Sequence, residues 1–271
     1  MSETTERAVA PGTLYLVATP IGNLDDFSPR GQRVLRDVDV IAAEDTRHTG
    51  QLLTRFGIAR PLVSYHDHNK DRRTPELIDR LRAGDAVAVV SDAGSPGISD
   101  PAFTLVRAAV EAGLPIVPVP GPSSALCALE VSGLPTDRFA FEGFLPRKSG
   151  RKRTRIEELR GDPRTLIFFE SPHRVRATLA DLLEGMGDRP ASVSRELTKK
   201  FEETQRGPLS ALVAWAEGRT PRGEFVIVVG GAPKAKRGRR DGAGGGDDAE
   251  EPDDDEPDDD SDSKDSREGD E

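Results

Sequence analysis

Two loops rich in glycine and proline follow short apolar runs, and their composition suits the binding of a small molecule. The apolar run at residues 86–90 leads into a loop that holds Asp92, Gly94, Ser95, Pro96, Gly97, Ser99 and Asp100. The run at residues 13–19 leads in the same way into Pro20, Ile21, Gly22 and Asn23. Glycine lets a backbone approach a ligand closely, and open α/β sheets bind ligands at the carboxyl ends of their strands. The alternative is that both loops are ordinary surface turns.

The elements around these loops indicate an α/β fold. Helix starts are predicted where a capping side chain precedes a proline, at Ser28 with Pro29, Thr74 with Pro75, Asp100 with Pro101 and Ser171 with Pro172. Short apolar runs typical of buried strands lie at residues 14–18, 38–42, 86–90, 116–119, 166–169 and 225–229. The alternation of strand and helix predicts a mainly parallel sheet in the first part of the chain.

A change in composition at residues 132–137, where glycine, proline and polar residues follow a helical stretch, predicts a domain boundary. We expect a disordered N-terminus at residues 1–12 and an N-terminal α/β domain at 13–133. A smaller, mixed α/β domain is expected at 134–233, and a disordered tail, first basic and then acidic, at 234–271.

The acidic charge of the chain is concentrated at its end. The formal net charge is −10, but residues 247–271 alone hold 16 acidic and 2 basic residues. Just before them stand five basic residues, Lys234, Lys236, Arg237, Arg239 and Arg240. The acidic character of the whole chain therefore describes its tail and does not exclude a nucleic-acid partner.

Several classes of protein and of site are excluded or disfavoured by what the sequence lacks. Cys127 is the only cysteine, so no intrachain disulfide is possible, and a reducing cytoplasm with no membrane span is expected. There is no Walker phosphate loop, and no GxGxxG follows the first strand. Of the four histidines only His66 and His68 are close, so no metal site is expected. A ligand gripped by backbone remains, and a nucleoside such as S-adenosylmethionine fits.

Eight motifs in order along the chain carry a resemblance to a known family. They are TLYLVATPIGNLDD, IAAEDTRHTGQLL, SYHDHN, VSDAGSPGISDP, PVPGPSSALCAL, FEGFLPRK, FFESPHR and SRELTKKFEE. Over residues 12–233 the chain resembles the ribosomal RNA small subunit methyltransferase I family of the tetrapyrrole methylase superfamily. The resemblance implies a two-domain fold, S-adenosylmethionine bound between the domains, and a homodimer. It also implies methylation of a ribose 2′-hydroxyl on a cytidine in the decoding region of 16S ribosomal RNA.

The resemblance also implies which residues contact the cofactor. In the first domain these are Pro20, Gly22, Asp92, Gly94, Ser95, Pro96, Ile98, Pro120, Gly121, Pro122, Ser123 and Ser124. From the second domain it implies Phe144, Leu145 and Ser171. For Asp92, capping of a local turn is an alternative role.

Neither spacing nor resemblance identifies a general base. A sulfonium methyl group is already electrophilic, so positioning could supply most of the rate, and the hydroxyl proton could pass directly to water. The candidates for a base are Asp45, His48, His66 and Glu170.

A run of six cations follows the motif EGFLP and predicts a surface that contacts RNA phosphates: Arg147, Lys148, Arg151, Lys152, Arg153 and Arg155. A solvated helix face is the alternative, because Glu157 and Glu158 are adjacent. A methyltransferase acting on a small macrocycle or a protein side chain, and a noncatalytic RNA-binding module, are the alternative functions. The chain also departs from its family where a helical segment is replaced by the basic stretch and the acidic tail. That tail is interpreted as a solubilising appendage or a competitor of RNA for basic patches.

Overall fold

The computed structural model describes residues 9–233, and the expected tail at 234–271 lies outside these residues. The first half of the described chain forms a five-stranded parallel sheet from β1 (Leu14–Val17), β2 (Val40–Ala43), β3 (Leu62–Ser64), β4 (Val87–Val90) and β5 (Ile116–Val119). The strand order is β3-β2-β4-β1-β5. Strands β2 and β4 are buried along their whole length, which explains their small and β-branched apolar residues.

Helices cover both faces of this sheet. They are α1 (Pro29–Asp37), α2 (Thr46–Arg55), α3 (Lys70–Arg82) and α4 (Ala102–Glu111). One apolar core holds residues of α1 and α2, and another holds residues of α3 and α4. Because all five strands run in the same direction, their carboxyl ends and the loops that follow them meet at one edge of the sheet.

The second half of the described chain forms a mixed sheet. Its strands are β6 (Phe139–Phe144), β7 (Thr165–Glu170), β8 (Pro190–Arg195), β9 (Glu203–Pro208) and β10 (Phe225–Val229), in the order β6-β7-β10-β8-β9. Only the pair β6 and β7 is parallel. Helices α6 (Ser149–Leu159), α7 (Val175–Met186) and α8 (Leu209–Glu217) pack into one core with this sheet.

Helix α5 (Ser124–Glu130) packs against strands β7 and β10 of the second sheet. Its buried residues belong to an inter-sheet cluster, which we define by Ile21, Ala125, Ala128, Leu129, Ile167, Leu197, Val226 and Val228. The cluster therefore joins the loop after β1 to the sheet built from the second half of the chain.

The predicted fold class is confirmed, and the structure corrects several local expectations. Helix α3 begins at Lys70, so Pro75 lies inside it, and α7 begins at Val175, three residues after Pro172. Strands β3, β6, β8 and β9 have no counterpart among the predicted apolar runs. The predicted domain limits stay a prediction. No helix within residues 9–233 is long and apolar enough to span a membrane.

The end of the predicted disordered N-terminus differs from the expectation. Val9 is buried, and the Ala10 N–H donates a hydrogen bond to the Tyr15 hydroxyl at 2.8 Å. The Gly12 N–H donates to the carbonyl oxygen of Gly84 at 3.0 Å. Residues 9–12 are therefore ordered, with the Val9 side chain in the core and the backbone of Ala10 and Gly12 hydrogen-bonded to the first half of the chain.

Candidate active site

Three adjoining cavities, with volumes of about 320, 730 and 380 Å³, form one cleft between loops of the first sheet and residues of the second. Ala93, after β4, and Glu224, before β10, line all three. The apolar part is lined by Ile21, Phe144, Phe169, Leu197 and Val226 among others. The cleft therefore brings together the two loops from which the sequence predicted binding.

The loop after β4 is held in place by its own backbone and by one aspartate. Thr19 and Gly94 exchange two backbone hydrogen bonds of 3.0 Å, which tie this loop to the end of β1. Gly94 has a φ of +78°, a conformation that favours glycine. The Asp100 carboxylate accepts hydrogen bonds from the Gly97 and Ala102 N–H groups, both at 2.9 Å. The shape of the loop is thus set before any ligand binds.

The structure places ten of the fifteen predicted cofactor residues on the wall of the cleft: Pro20, Gly22, Asp92, Gly94, Ser95, Ile98, Ser123, Ser124, Phe144 and Ser171. Leu145 does not lie there, because it is buried in the core of the second sheet. Pro96, Pro120, Gly121 and Pro122 do not line the three cavities either. Gly121 instead packs against Ala18, since a Cβ at this position would lie 2.9 Å from the Ala18 Cβ.

Glycine at position 22 is explained by protein packing. A Cβ at Gly22 would collide with the side chain of Lys199, which lies across the loop after β1. The Lys199 ammonium is 2.9 Å from a Glu224 carboxylate oxygen and 3.2 Å from one of Glu196. These ion pairs lie within the wall formed by the second sheet, and the Lys199 side chain meets the opposite wall at Gly22, in the cavity of about 730 Å³.

One wall of the cleft is acidic. Glu44, directly after β2, and Asp92 and Asp100, after β4, all line the cavity of about 380 Å³. Burial raises the pKa of Glu44, and the neighbouring Asp92 and Asp100 carboxylates raise it further. Burial also raises the pKa of Asp100. Such a wall favours a cationic ligand, because a positive charge offsets the repulsion among these carboxylates.

The lining fits S-adenosylmethionine in three respects. The acidic wall suits its positive charges, the Ser95, Ser123 and Ser124 hydroxyl groups suit its polar groups, and the aromatic rings of Phe144 and Phe169 suit a purine. Those two rings are 5.7 Å apart between centroids and meet edge to face. Within residues 9–233, His, Cys, Asp and Glu form no group placed to hold a metal ion.

We predict that Glu44→Gln weakens cofactor binding and stabilises the unliganded chain. Because the pKa of Glu44 is raised, its stabilising contribution to folding is lost as the pH increases through that pKa, so at neutral pH the neutral amide gives the higher melting temperature. Cofactor affinity should fall about fivefold, equivalent to roughly 1 kcal/mol, and the difference should vanish as the pH falls below the pKa. Calorimetric titrations from pH 4 to 8 measure the affinity, and thermal unfolding of the unliganded chain over the same range measures the melting temperature.

Glu111→Gln is the matched control, because Glu111 ends α4 and is exposed outside the cleft. It should change neither the affinity nor its pH dependence. Equal affinities of Glu44→Gln and the unchanged chain at neutral pH would contradict the assigned role of Glu44.

The four predicted base candidates have different surroundings. The Asp45 carboxylate caps α2 by accepting hydrogen bonds from the Arg47 and His48 N–H groups, which lower its pKa and make it a weaker base. His48 lines the cavity of about 730 Å³. His66 lines none of the three cavities, and its ring nitrogen Nε2 lies 3.2 Å from the Asn69 side-chain nitrogen.

Glu170 lines the apolar part of the cleft, but its carboxylate is engaged in the protein. It is only 2% exposed and accepts hydrogen bonds from the Thr178 hydroxyl at 2.6 Å and the Ser171 N–H at 2.8 Å. Arg174 lies 3.5 Å away and donates to the Leu145 carbonyl. These contacts indicate that Glu170 positions the segment after β7.

The six cations predicted to contact RNA separate into two groups. Arg147, Lys148, Arg151 and Arg153 are exposed, and within the described chain none of them has a carboxylate partner. The predicted RNA contact of Lys152 is wrong, because this residue is only 7% exposed and its ammonium pairs with Asp181 of α7. Arg155 pairs with Glu142 at 2.6 Å and Glu158 at 2.8 Å. These last two cations hold α6 in place.

Sequence reasoning missed some residues of the cleft, chiefly Glu44, Phe169, Leu197, Lys199 and Glu224. Glu44 could have been found, because it stands at the carboxyl end of an apolar run, as Asp92 does. The others come from loops and strands of the second sheet, and no local pattern predicts that they face the first.

Comparisons with known proteins agree with this fold and cleft. A family model described as tetrapyrrole (corrin/porphyrin) methylases matches residues 13–213. A uroporphyrin-III-C-methyltransferase from Thermus thermophilus is similar in structure, with a TM-score of 0.55 and 25% identity, covering 81% of this chain and 94% of its own. The fold and the cleft thus define a methyltransferase that depends on S-adenosylmethionine.

Curated relatives narrow the class further. A protein of Xylella fastidiosa is 54% identical over 85% of this chain and 87% of its own length. One of Synechocystis is 51% identical over 83% and 81%. Both are named ribosomal RNA small subunit methyltransferase I. The chain therefore belongs to the ribosomal RNA small subunit methyltransferase I family of tetrapyrrole methylases.

Proposed function

We propose that this enzyme transfers a methyl group to small-subunit ribosomal RNA, at the ribose 2′-hydroxyl of a cytidine in the decoding region. One observation carries the proposal. About half of the aligned residues are identical to those of relatives named ribosomal RNA small subunit methyltransferase I, and each alignment covers most of both chains. The exposed cations at the start of α6 follow the cleft residue Phe144 closely in sequence and support a polyanionic substrate.

The residues proposed to hold S-adenosylmethionine are the acidic wall, the serines before and at the start of α5, and Phe144. When bound, the cofactor supplies an electrophilic methyl group. The protein has to place the substrate hydroxyl behind that group and exclude competing water, and positioning of this kind can account for most of the rate. His48 and Glu44 are the cleft residues proposed to accept the hydroxyl proton. Unlike the Asp45 carboxylate, neither side chain caps a helix.

A homodimer in the cytoplasm is part of the proposal. Large apolar side chains remain exposed on the helices that flank β5, notably Phe103 and Val110 on α4 and Leu126 on α5. Exposed apolar residues of this size suit an interface between two copies. Light scattering on the purified chain should give twice the monomer mass, and Val110→Glu should reduce it.

A labelled-methyl transfer assay tests the reaction itself. Unmodified small ribosomal subunits, free 16S RNA and a porphyrin precursor would be offered in parallel, and digestion of labelled RNA would locate the methyl group. Label on a cytidine ribose supports the proposal. Label entering only the porphyrin would identify a tetrapyrrole as the substrate instead.

We predict that the double variant Arg151→Ala/Arg153→Ala weakens RNA binding in a salt-dependent way. Each lost phosphate contact should reduce the slope of log K against log salt concentration by about 0.7 for a single strand, so the slope should fall by about 1.4. Filter binding between 50 and 300 mM salt measures it. The control Arg82→Ala/Arg107→Ala removes the same charge from exposed positions on α3 and α4. Identical slopes for the two double variants would refute a phosphate-binding surface on α6.

A further inference from the structure

The loop between β8 and β9, residues 196–202, is strained and lies at the cleft. Glu196 and Thr198 have φ values of 51° and 66°, which non-glycine residues rarely adopt. Strained backbone of this kind persists where the surroundings hold it, often at functional sites. We call residues 196–202 the Phe201 loop.

One side of the Phe201 loop belongs to the cleft wall. Leu197 is part of the inter-sheet cluster and lines the apolar cavity. The Thr198 hydroxyl accepts a hydrogen bond of 3.1 Å from the Asn23 N–H, and Lys199 pairs with Glu224. The loop is therefore fixed to the end of β1 and to the start of β10.

The other side of the Phe201 loop presents an aromatic ring and cations to solvent. Phe201 is 63% exposed, and the Lys200 ammonium lies 5.7 Å from the centre of its ring. A depression of about 250 Å³ beside the ring is lined by Arg195, Glu196, Phe201, Arg222 and Gly223, and the Glu196 carboxylate is already paired with Lys199. An adjoining depression of about 290 Å³ also contains Arg195, together with Trp215 and Arg219.

The charges of this surface are only partly balanced by the protein. Arg195 and Arg219 share the Glu203 carboxylate, at 2.9 and 2.8 Å. Lys200 and Arg222 have no carboxylate partner among the residues that the structure describes. An exposed ring between two unpaired cations matches one nucleotide of a single strand, whose base stacks on the ring while its phosphate meets the cations. A protein partner would need an apolar surface around Phe201, and the flanking residues are charged.

We propose that Lys200, Phe201 and Arg222 bind a nucleotide of single-stranded RNA that flanks the methylated residue. This inference rests on the proposed function. It adds a stacking contact that composition alone disfavours, since aromatic residues make up 5% of the chain. Because Lys199 and Leu197 of the same loop line the cleft, a base stacked on Phe201 would fix the register of the strand relative to the reacting hydroxyl.

Steady-state methyl transfer to unmodified small subunits by Phe201→Ala tests the inference. The KM for RNA should rise about tenfold, while the dissociation constant for S-adenosylmethionine, measured by calorimetry, should stay unchanged. Phe201→Trp should keep the KM within about twofold of the original, because it retains a stacking surface. Phe139→Ala is the control, since Phe139 is 41% exposed at the opposite end of β6 from the cleft.

A second variant tests the same surface without changing Phe201, in case Phe201→Ala alters the conformation of the loop. Lys200→Ala/Arg222→Ala leaves Phe201 in place and should reduce the salt slope of RNA binding by about 1.4. An unchanged KM in Phe201→Ala, together with an unchanged slope in the double variant, overturns the inference. If the unaltered enzyme methylates no RNA at all, both the proposed function and this inference are wrong. If the enzyme methylates RNA and these variants match it, only this binding surface is wrong.

Discussion

Replacing Gly94 by valine is expected to weaken S-adenosylmethionine binding by at least tenfold. At the φ of +78° a β-branched residue is strained by about 1–3 kcal/mol. A Cβ would also lie 3.3 Å from the Ile21 Cγ2 methyl group and 3.5 Å from the Pro122 carbonyl oxygen, so the two further methyl groups of valine would have to fit beside atoms that are already in contact. If the loop relieves this strain by leaving its binding conformation, restoring that conformation reduces the binding free energy, and each 1.4 kcal/mol lost weakens the affinity tenfold. Calorimetric titration with the cofactor measures the loss.

Gly113→Val is the control that separates strain from position. Gly113 has a similar φ of +66°, lies in the turn before β5, and has no atom within 4 Å of an added Cβ. Both variants should lower the melting temperature, but only Gly94→Val should lose cofactor affinity. If the two variants bind the cofactor equally well, the loop after β4 has no special part in binding.

Asp181→Ala is expected to be the most destabilising of the substitutions considered. It leaves the buried Lys152 ammonium without its partner, and removing one member of a buried ion pair typically costs 3–5 kcal/mol, here about 10 °C in melting temperature. Asp79→Ala removes the partner of the exposed Arg82 and should change the free energy of unfolding by less than about 1 kcal/mol. Thermal and urea unfolding of both variants measure the difference.

The same ion pair tests the reassignment of Lys152. Replacing both partners, as Lys152→Met/Asp181→Leu, should restore most of the stability, because an apolar pair of similar volume needs no desolvation of charge. RNA affinity and its salt dependence should remain those of the original enzyme. A reduced salt slope in this folded double variant would return Lys152 to the RNA-binding surface.

Local sequence patterns predicted the three central strands of the first sheet well, because β1, β2 and β4 are almost wholly buried. Runs such as residues 86–90 contain only small and β-branched apolar residues, and the structure buries all of β4. In contrast, β9 has the sequence ETQRGP and is an edge strand with no buried residue. Its pairing with β8 stabilises it, and no periodicity in its own residues reports that contact.

Proline gave both correct and incorrect helix starts. Ser28 accepts a hydrogen bond from the Gly31 N–H and starts α1 at Pro29, as predicted. Thr74 instead donates or accepts a 2.9 Å hydrogen bond with the buried Tyr65 hydroxyl, and α3 has already begun at Lys70. Pro75 is the sixth residue of α3, so a capping residue followed by proline marks a helix start only to within several residues.

Half of the cleft could be predicted from sequence, and the reason lies in topology. Loops after parallel strands meet at one edge, so Asp92 and Gly22 were placed together without a structure. The wall from the second sheet depends on how α5 packs on β7 and β10, which involves residues about 40 and 100 positions apart along the chain. The burial of Lys152 likewise follows from its contact with α7.

The inter-sheet cluster has a consequence for the catalytic cycle. Ile21, Ala125 and Val226 lie in one buried apolar cluster. Separation of the two walls of the cleft would therefore expose the apolar surface of this cluster to water, which is unfavourable. We therefore expect the gap to keep a nearly constant width through turnover, with spent cofactor and methylated product leaving by the solvent-facing mouth. An enzyme built in this way meets its substrates with a site already assembled by folding, and little reorganisation separates the resting state from the reactive one.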